Sequence, residues 1–414
     1  MSRFLIPLMA LAATLAPASA QNDQNNALFG QINEITAELA RITGLKFLKK
    51  VEYAPITKPE VNKFLRDRLK EEMSPEEIRA EELVLKKFGF VPQDYDLASN
   101  TIDLFTEQAA AFYDFRKKKL FVLESAPGDL QRVALVHELA HALADQHFRL
   151  EKYIRKGSTN DDSSLARMAV MEGQAAWLMS EYMARQMGQS LKGSHGMVDV
   201  VRRTEELSAG QFPVFDAAPL YIRETMLFPY TYGLLFQHAV LEKLGQEGFS
   251  EVFSRPPSSA QQILHPDKYF SHLEPTAPPA PKPPRAKECK MLTEGTFGEL
   301  DHRILLRQFG MQAEAPELAA HWRGGAYRLW ERKDRSGTVL SYASDWDSAE
   351  AARRFMASYA HILRKKWKKM EISSETPAVL AGRGDDGYFV LRLSDSRVSS
   401  LEGMQSAEEA VALR

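Results

Sequence analysis

The stretch VALVHELAHALADQHF, Val133 to Phe148, constrains this chain more than any other, because it sets two histidines and a glutamate inside an apolar run. Val133, Leu135, Val136, Leu139, Ala140, Ala142 and Leu143 surround the motif, so the spacing predicts a buried helix from about Leu130 to Phe148. Residues four apart on an α-helix are rotated by only about 40°. His137 and His141 therefore present their imidazoles on one face, one turn apart, as two ligands of a single zinc ion require. Glu138 projects beside them, where it can take a proton from activated water. The bland alternative, a surface helix whose polar residues are merely solvated, conflicts with the apolar surroundings.

Two residues compete to be the third ligand. His147 falls where the metzincin pattern HExxHxxGxxH puts its last histidine, but that pattern needs a glycine to turn the chain, and Ala144 stands there instead. On a helix that continues, His147 is rotated by about 120° or more from His141. Glu172 comes from a later helix, expected near Ser164 to Met187, whose buried stripe is Leu165, Met168, Ala169, Ala176, Met179 and Met183. A carboxylate in the middle of that stripe needs a partner, which is a metal or else a paired Arg or His. Glu181 lies on the opposite side of the same wheel and is expected to face water. Gly173 suggests a close backbone approach beside Glu172.

With these residues the chain resembles the gluzincin class of zinc metallopeptidases, and in particular exported bacterial proteins of the peptidase-MA-like group. The features that carry the resemblance are HELAHALADQHF, the MEGQA segment Met171 to Ala175, the Phe112 to Asp114 element, and PPSSAQQILHPDKY, Pro256 to Tyr269. The resemblance covers about Phe88 to Tyr269. It implies an α+β zincin-like catalytic region, mostly helical, with a small sheet or hairpin beside the active helix. It also implies one Zn2+ per chain on His137, His141 and Glu172, Glu138 as general base, and a peptide or protein substrate. In gluzincins a His or Tyr from later helices often stabilises the oxyanion, which makes Tyr230, Tyr232 and His265 candidates; Tyr230 is taken as the catalytic one. Asp145, one turn after His141, is a candidate to orient a ligand or a neighbouring helix. Two other readings stand beside this one: a catalytically idle metal-binding envelope module acting as a scaffold, and the same chemistry on a non-peptide amide.

The rest of the chain frames that region. Residues 1 to 20 read as a signal peptide, with an apolar run from Phe4 to Ala16 and Ala18-Ser19-Ala20 before Gln21; this predicts an exported, periplasmic or extracellular protein with no stable membrane insertion after cleavage. A net charge of −2 argues against a nucleic-acid partner. A lone cysteine, Cys289, rules out an intrachain disulfide.

Helices are expected through most of Ile32 to Phe90, with Ser74-Pro75-Glu76-Glu77 as a helix start. A β-hairpin is expected over Ala109 to Glu124, and a further helix from Tyr230 to Leu244 just after Pro229. Six prolines in the ten residues Pro275 to Pro284 predict an extended spacer. The expected units are therefore a zincin-like domain over residues 21–274, a Pro-rich linker over 275–289 and a small α+β domain over 290–414, the last with strands at Tyr327 to Lys333, Thr338 to Ser344 and Gly387 to Leu393, a helix from Ser348 to Trp367 and a polar tail.

Overall fold

The computed structural model describes residues 30–125, 128–157, 160–194, 196 and 212–411, and its fold is α+β. The expected signal peptide lies outside these residues. No helix among them is long and apolar enough to cross a membrane.

The chain opens with α1 (Ile32–Thr43), β1 (Glu52–Ile56), α2 (Lys58–Glu72), α3 (Pro75–Phe88) and α4 (Leu97–Gln108). Ser74 caps α3 as its sequence suggests: its hydroxyl accepts from the Glu77 N–H while the Glu77 carboxylate accepts from the Ser74 N–H. Strands β2 (Ala111–Asp114) and β3 (Lys119–Leu123) form the expected hairpin. Strand β1 was not expected. It pairs in parallel with β3 to complete a three-stranded sheet of order β1-β3-β2, and such long-range pairing leaves no local trace in a five-residue strand that contains Pro55.

Then come α5 (Gly128–Phe148), α6 (Leu150–Arg155), α7 (Asp161–Gln186), α8 (Pro213–Ala217) and α9 (Leu220–Leu244), followed by short α10 (Gly248–Ser254), α11 (Ala260–Leu264) and α12 (Pro266–Phe270). Helix α9 starts ten residues before the expected Tyr230 and carries Pro229 in its interior. Its packing along α7 keeps the helix going where the proline alone would end it. The crossing is unusually close: a Cβ on Gly173 would lie 2.1 Å from the Gly233 carbonyl carbon, and one on Gly233 would lie 2.2 Å from the Ala169 oxygen. Only glycine at both positions allows it.

The remaining elements are β4 (Cys289–Thr296), α13 (Glu299–Gln308), α14 (Ala315–Ala320), β5 (Trp322–Arg332), β6 (Thr338–Trp346), α15 (Ala349–Lys366), β7 (Glu371–Thr376), β8 (Val379–Gly384), β9 (Gly387–Ser394), β10 (Arg397–Met404) and α16 (Ala407–Val411). The strands make one antiparallel sheet of order β4-β5-β6-β10-β9-β8-β7, so the expected polar tail is in part a central strand. The Pro-rich segment runs along β5 and β6. The Thr276 N–H donates to the Arg323 oxygen at 2.7 Å, Arg328 donates to the Ala280 oxygen at 3.4 Å, and the Ser341 hydroxyl donates to the Pro281 oxygen. One hydrophobic core passes from the helices into the sheet, where Phe88 packs on Phe297, Tyr327 and Tyr342.

Candidate metal centre

Helix α5 runs without a break through Ala144 to Phe148, and this keeps the two motif histidines on one face. Nε2 of His137 and Nε2 of His141 are 3.0 Å apart. Helix α7 brings Glu172 across from them, with Oε2 at 3.2 Å from each nitrogen. All three side chains are buried: His137 and Glu172 are at most 1% exposed and His141 is 7% exposed.

Three ligand atoms around a zinc at about 2.0–2.1 Å stand about 3.3 Å from one another in tetrahedral geometry. The observed triangle of 3.0, 3.2 and 3.2 Å fits that requirement. The donor set, two imidazoles and one carboxylate with Glu138 beside them, fits zinc in charge and ligand type as well. Glu138 also lies close, its carboxylate falling within 4.8 Å of the two histidines. It differs from Glu172 in what it does with its oxygens. Oε2 accepts the Tyr113 N–H at 2.7 Å, which ties it to β2, while Oε1 is buried with no partner among the described residues. That free oxygen is the one able to accept a proton.

The electrostatics follow from burial and proximity. Burial pushes His137 down and pushes the Glu138 carboxyl up to about 8. Burial works against charge on His141 and Glu172 too, but their mutual attraction outweighs it, holding His141 above and Glu172 below their ordinary values. His141 and Glu172 share their charge across a hydrogen bond at 3.2 Å. His137 Nδ1 is buried without a partner among the described residues, so its orientation comes from packing.

The other sequence candidates fall elsewhere. His147 bonds the Lys46 oxygen at 2.8 Å and points away from the site. Glu181 is buried, not solvent-facing, and accepts from Arg185 at 2.6 Å, from the Ser190 hydroxyl and from the Leu191 N–H at 2.7 Å. The wheel misplaced it because α7 is enclosed on nearly every side, while Met179 and Met183 of the expected stripe are only half-buried. Asp145 is buried and accepts from the Tyr113 hydroxyl at 3.0 Å, Lys118 at 2.7 Å and the Leu150 N–H at 3.0 Å, binding the hairpin to α5.

Of the three oxyanion candidates, Tyr230 stands beside the site, its ring centroid 6.0 Å from that of His137. His265 pairs with Glu299 at 2.7 Å, and Tyr232 packs at a tilt against Phe228. Strand β2 is the edge of its sheet, but its four residues are all buried. Two contributors had no sequence signal: the backbone of Tyr113 as a holder of Glu138, and Gly233 as the partner that lets α9 close on Gly173.

A family model described as a domain of unknown function (DUF8575) matches residues 288–414, which include none of the metal-centre residues. No curated protein and no solved structure matches the chain.

Proposed function

We propose that this protein is an exported zinc-dependent hydrolase similar to gluzincin metallopeptidases, with His137, His141 and Glu172 as ligands of one Zn2+ and Glu138 as general base. The observation that carries the reading is the convergence of Glu172, 35 and 31 positions from the two histidines in sequence, to 3.2 Å from both. Zinc, when bound, supplies Lewis-acid polarisation of a carbonyl and lowers the pKa of water. Glu138 Oε1 accepts the proton of the attacking water and passes it to the leaving amine, while Tyr113 holds Oε2 so that the other oxygen keeps its aim. Tyr230, whose ring centroid lies 6.0 Å from that of His137, would donate to developing negative charge there.

The near-complete burial of all four metal-centre side chains favours a second reading, a metal-holding module without turnover. A peptide-library cleavage assay on the zinc-loaded chain, repeated with Glu138→Gln, separates the two. Cleavage lost in the variant with zinc retained supports the hydrolase; zinc without any cleavage supports the module.

A further inference from the structure

Glu81 of α3, Asp161 and Asp162 of α7 and Asp301 of α13 line one partly open cleft. Each is at least nine-tenths buried. None of the described residues lining the cleft is Lys, Arg or His, and besides Thr101, Tyr221 and Thr225 its other walls are apolar, among them Leu97, Phe105, Leu165 and Met226.

Local structure accounts for part of this charge. Asp301 Oδ2 accepts the Gly298 N–H at 2.8 Å at the start of α13, and its Oδ1 accepts from the Tyr221 hydroxyl at 3.0 Å. Tyr327 donates to Asp161 at 3.1 Å, and Asp162 Oδ1 accepts the Ala260 N–H at 3.0 Å. Asp162 Oδ2 is left over: it is buried, has no partner among the described residues, and belongs to a side chain that lines the cleft. A carboxylate kept in such a place is costly without a cation. Burial accordingly pushes Asp162 up to about 8 and Asp301 up to about 6.

A metal ion is not what the cleft fits. Among the described residues the ligand atoms that gather closely are those of the metal centre, and the cleft acids form no such group. Dispersed acids facing a largely apolar wall match an organic cation with an aliphatic stem, whose charge favours their ionised forms.

We propose that this cleft binds an ammonium or guanidinium group on an aliphatic stem, with Asp162 Oδ2 as its hydrogen-bond acceptor and Leu97, Phe105, Leu165 and Met226 along the stem. The site is separate from the metal centre, since Asp162 precedes Glu172 by ten residues of α7, about 15 Å along the helix. The cation could come as a free small molecule or as an Arg or Lys side chain.

The test is calorimetric titration of the zinc-loaded full chain with butylguanidinium and its neutral isostere butylurea, and with acetyl-leucyl-arginine amide and its citrulline counterpart. The expected result is at least about tenfold tighter binding of the charged member of a pair. A preference in both pairs identifies a peptide side chain as the ligand, and a preference in the first pair alone identifies a free cation. Asp162→Asn, which keeps an oxygen for the Ala260 N–H, should lose most of the preference. Equal affinity for charged and neutral members, no binding of either at millimolar concentration, or an unchanged preference in Asp162→Asn overturns the proposal. The charged-against-neutral comparison needs no variant, and zinc content read on the same samples keeps its outcome apart from that of the metal centre.

Discussion

Gly173 and Gly233 touch where α7 and α9 cross, leaving no room for a β-carbon on either, and Glu172 is the neighbour of the first. The position of Glu172, the proposed third metal ligand, is thus set by a helix crossing that only two glycines permit.

Gly173→Ala tests that dependence. The added methyl would sit 2.1 Å from the Gly233 carbonyl carbon, so the helices must separate. A loss of about 1–3 kcal/mol in denaturant stability is expected, with weakened zinc binding as α7 shifts. Wild-type stability and zinc affinity together would contradict the crossing.

Glu138→Gln should retain zinc and lose about 10²- to 10⁴-fold in hydrolytic rate, since the amide keeps the shape and the Tyr113 contact but accepts no proton. Full activity in the variant would remove Glu138 from the role of base.

The Tyr113 to Asp145 hydrogen bond ties β2 to α5 inside the protein. Tyr113→Phe leaves Asp145 with Lys118 and the Leu150 N–H, so a loss of about 1 kcal/mol is expected. Asp145→Ala strips the partners of Lys118, Tyr113 and Leu150 at once and should cost more, about 2–3 kcal/mol. Equal effects of the two changes would deny Asp145 its role as the joint.

The acidic cleft has a pH signature. Asp162 and Asp301, held at about 8 and about 6 by burial, lie above the unfolded value of about 3.9. Their contribution to stability is full below that unfolded value and is lost as pH rises through the folded ones. Asp162→Asn cannot ionise, so between about pH 4 and pH 8 its stability should fall less steeply than wild type, with an advantage of about 1 kcal/mol or more at the upper end. His302, depressed to about 3 by burial, acts the other way below about pH 6.5 and cancels when variant and wild type are compared at one pH. Parallel pH profiles in chemical denaturation would contradict the assignment.

What could be read from the chain alone was local. The i, i+4 spacing of His137 and His141, the capping box at Ser74 and the hairpin at Ala111–Leu123 are short-range patterns, and each formed where its residues call for it. Glu172 was readable because a carboxylate stood among apolar neighbours on one helix face. Glu181 was not, because a wheel assumes that one side meets water and α7 is surrounded. Strand β1 depends on β3 more than sixty residues away, and Pro229 signals a helix start that packing against α7 overrides. The Tyr113 N–H contact to Glu138 is a backbone interaction across folded elements and has no side-chain pattern to betray it.

The central claim is that Glu172 completes a zinc site with His137 and His141. Competition titration of zinc against a chelator of known affinity, on wild type, Glu172→Ala and His147→Ala, tests it most directly. One zinc per wild-type chain is expected, with affinity reduced on the order of tenfold to a hundredfold or more in Glu172→Ala and unchanged in His147→Ala. Undiminished zinc affinity in Glu172→Ala, or a loss in His147→Ala instead, would contradict the account.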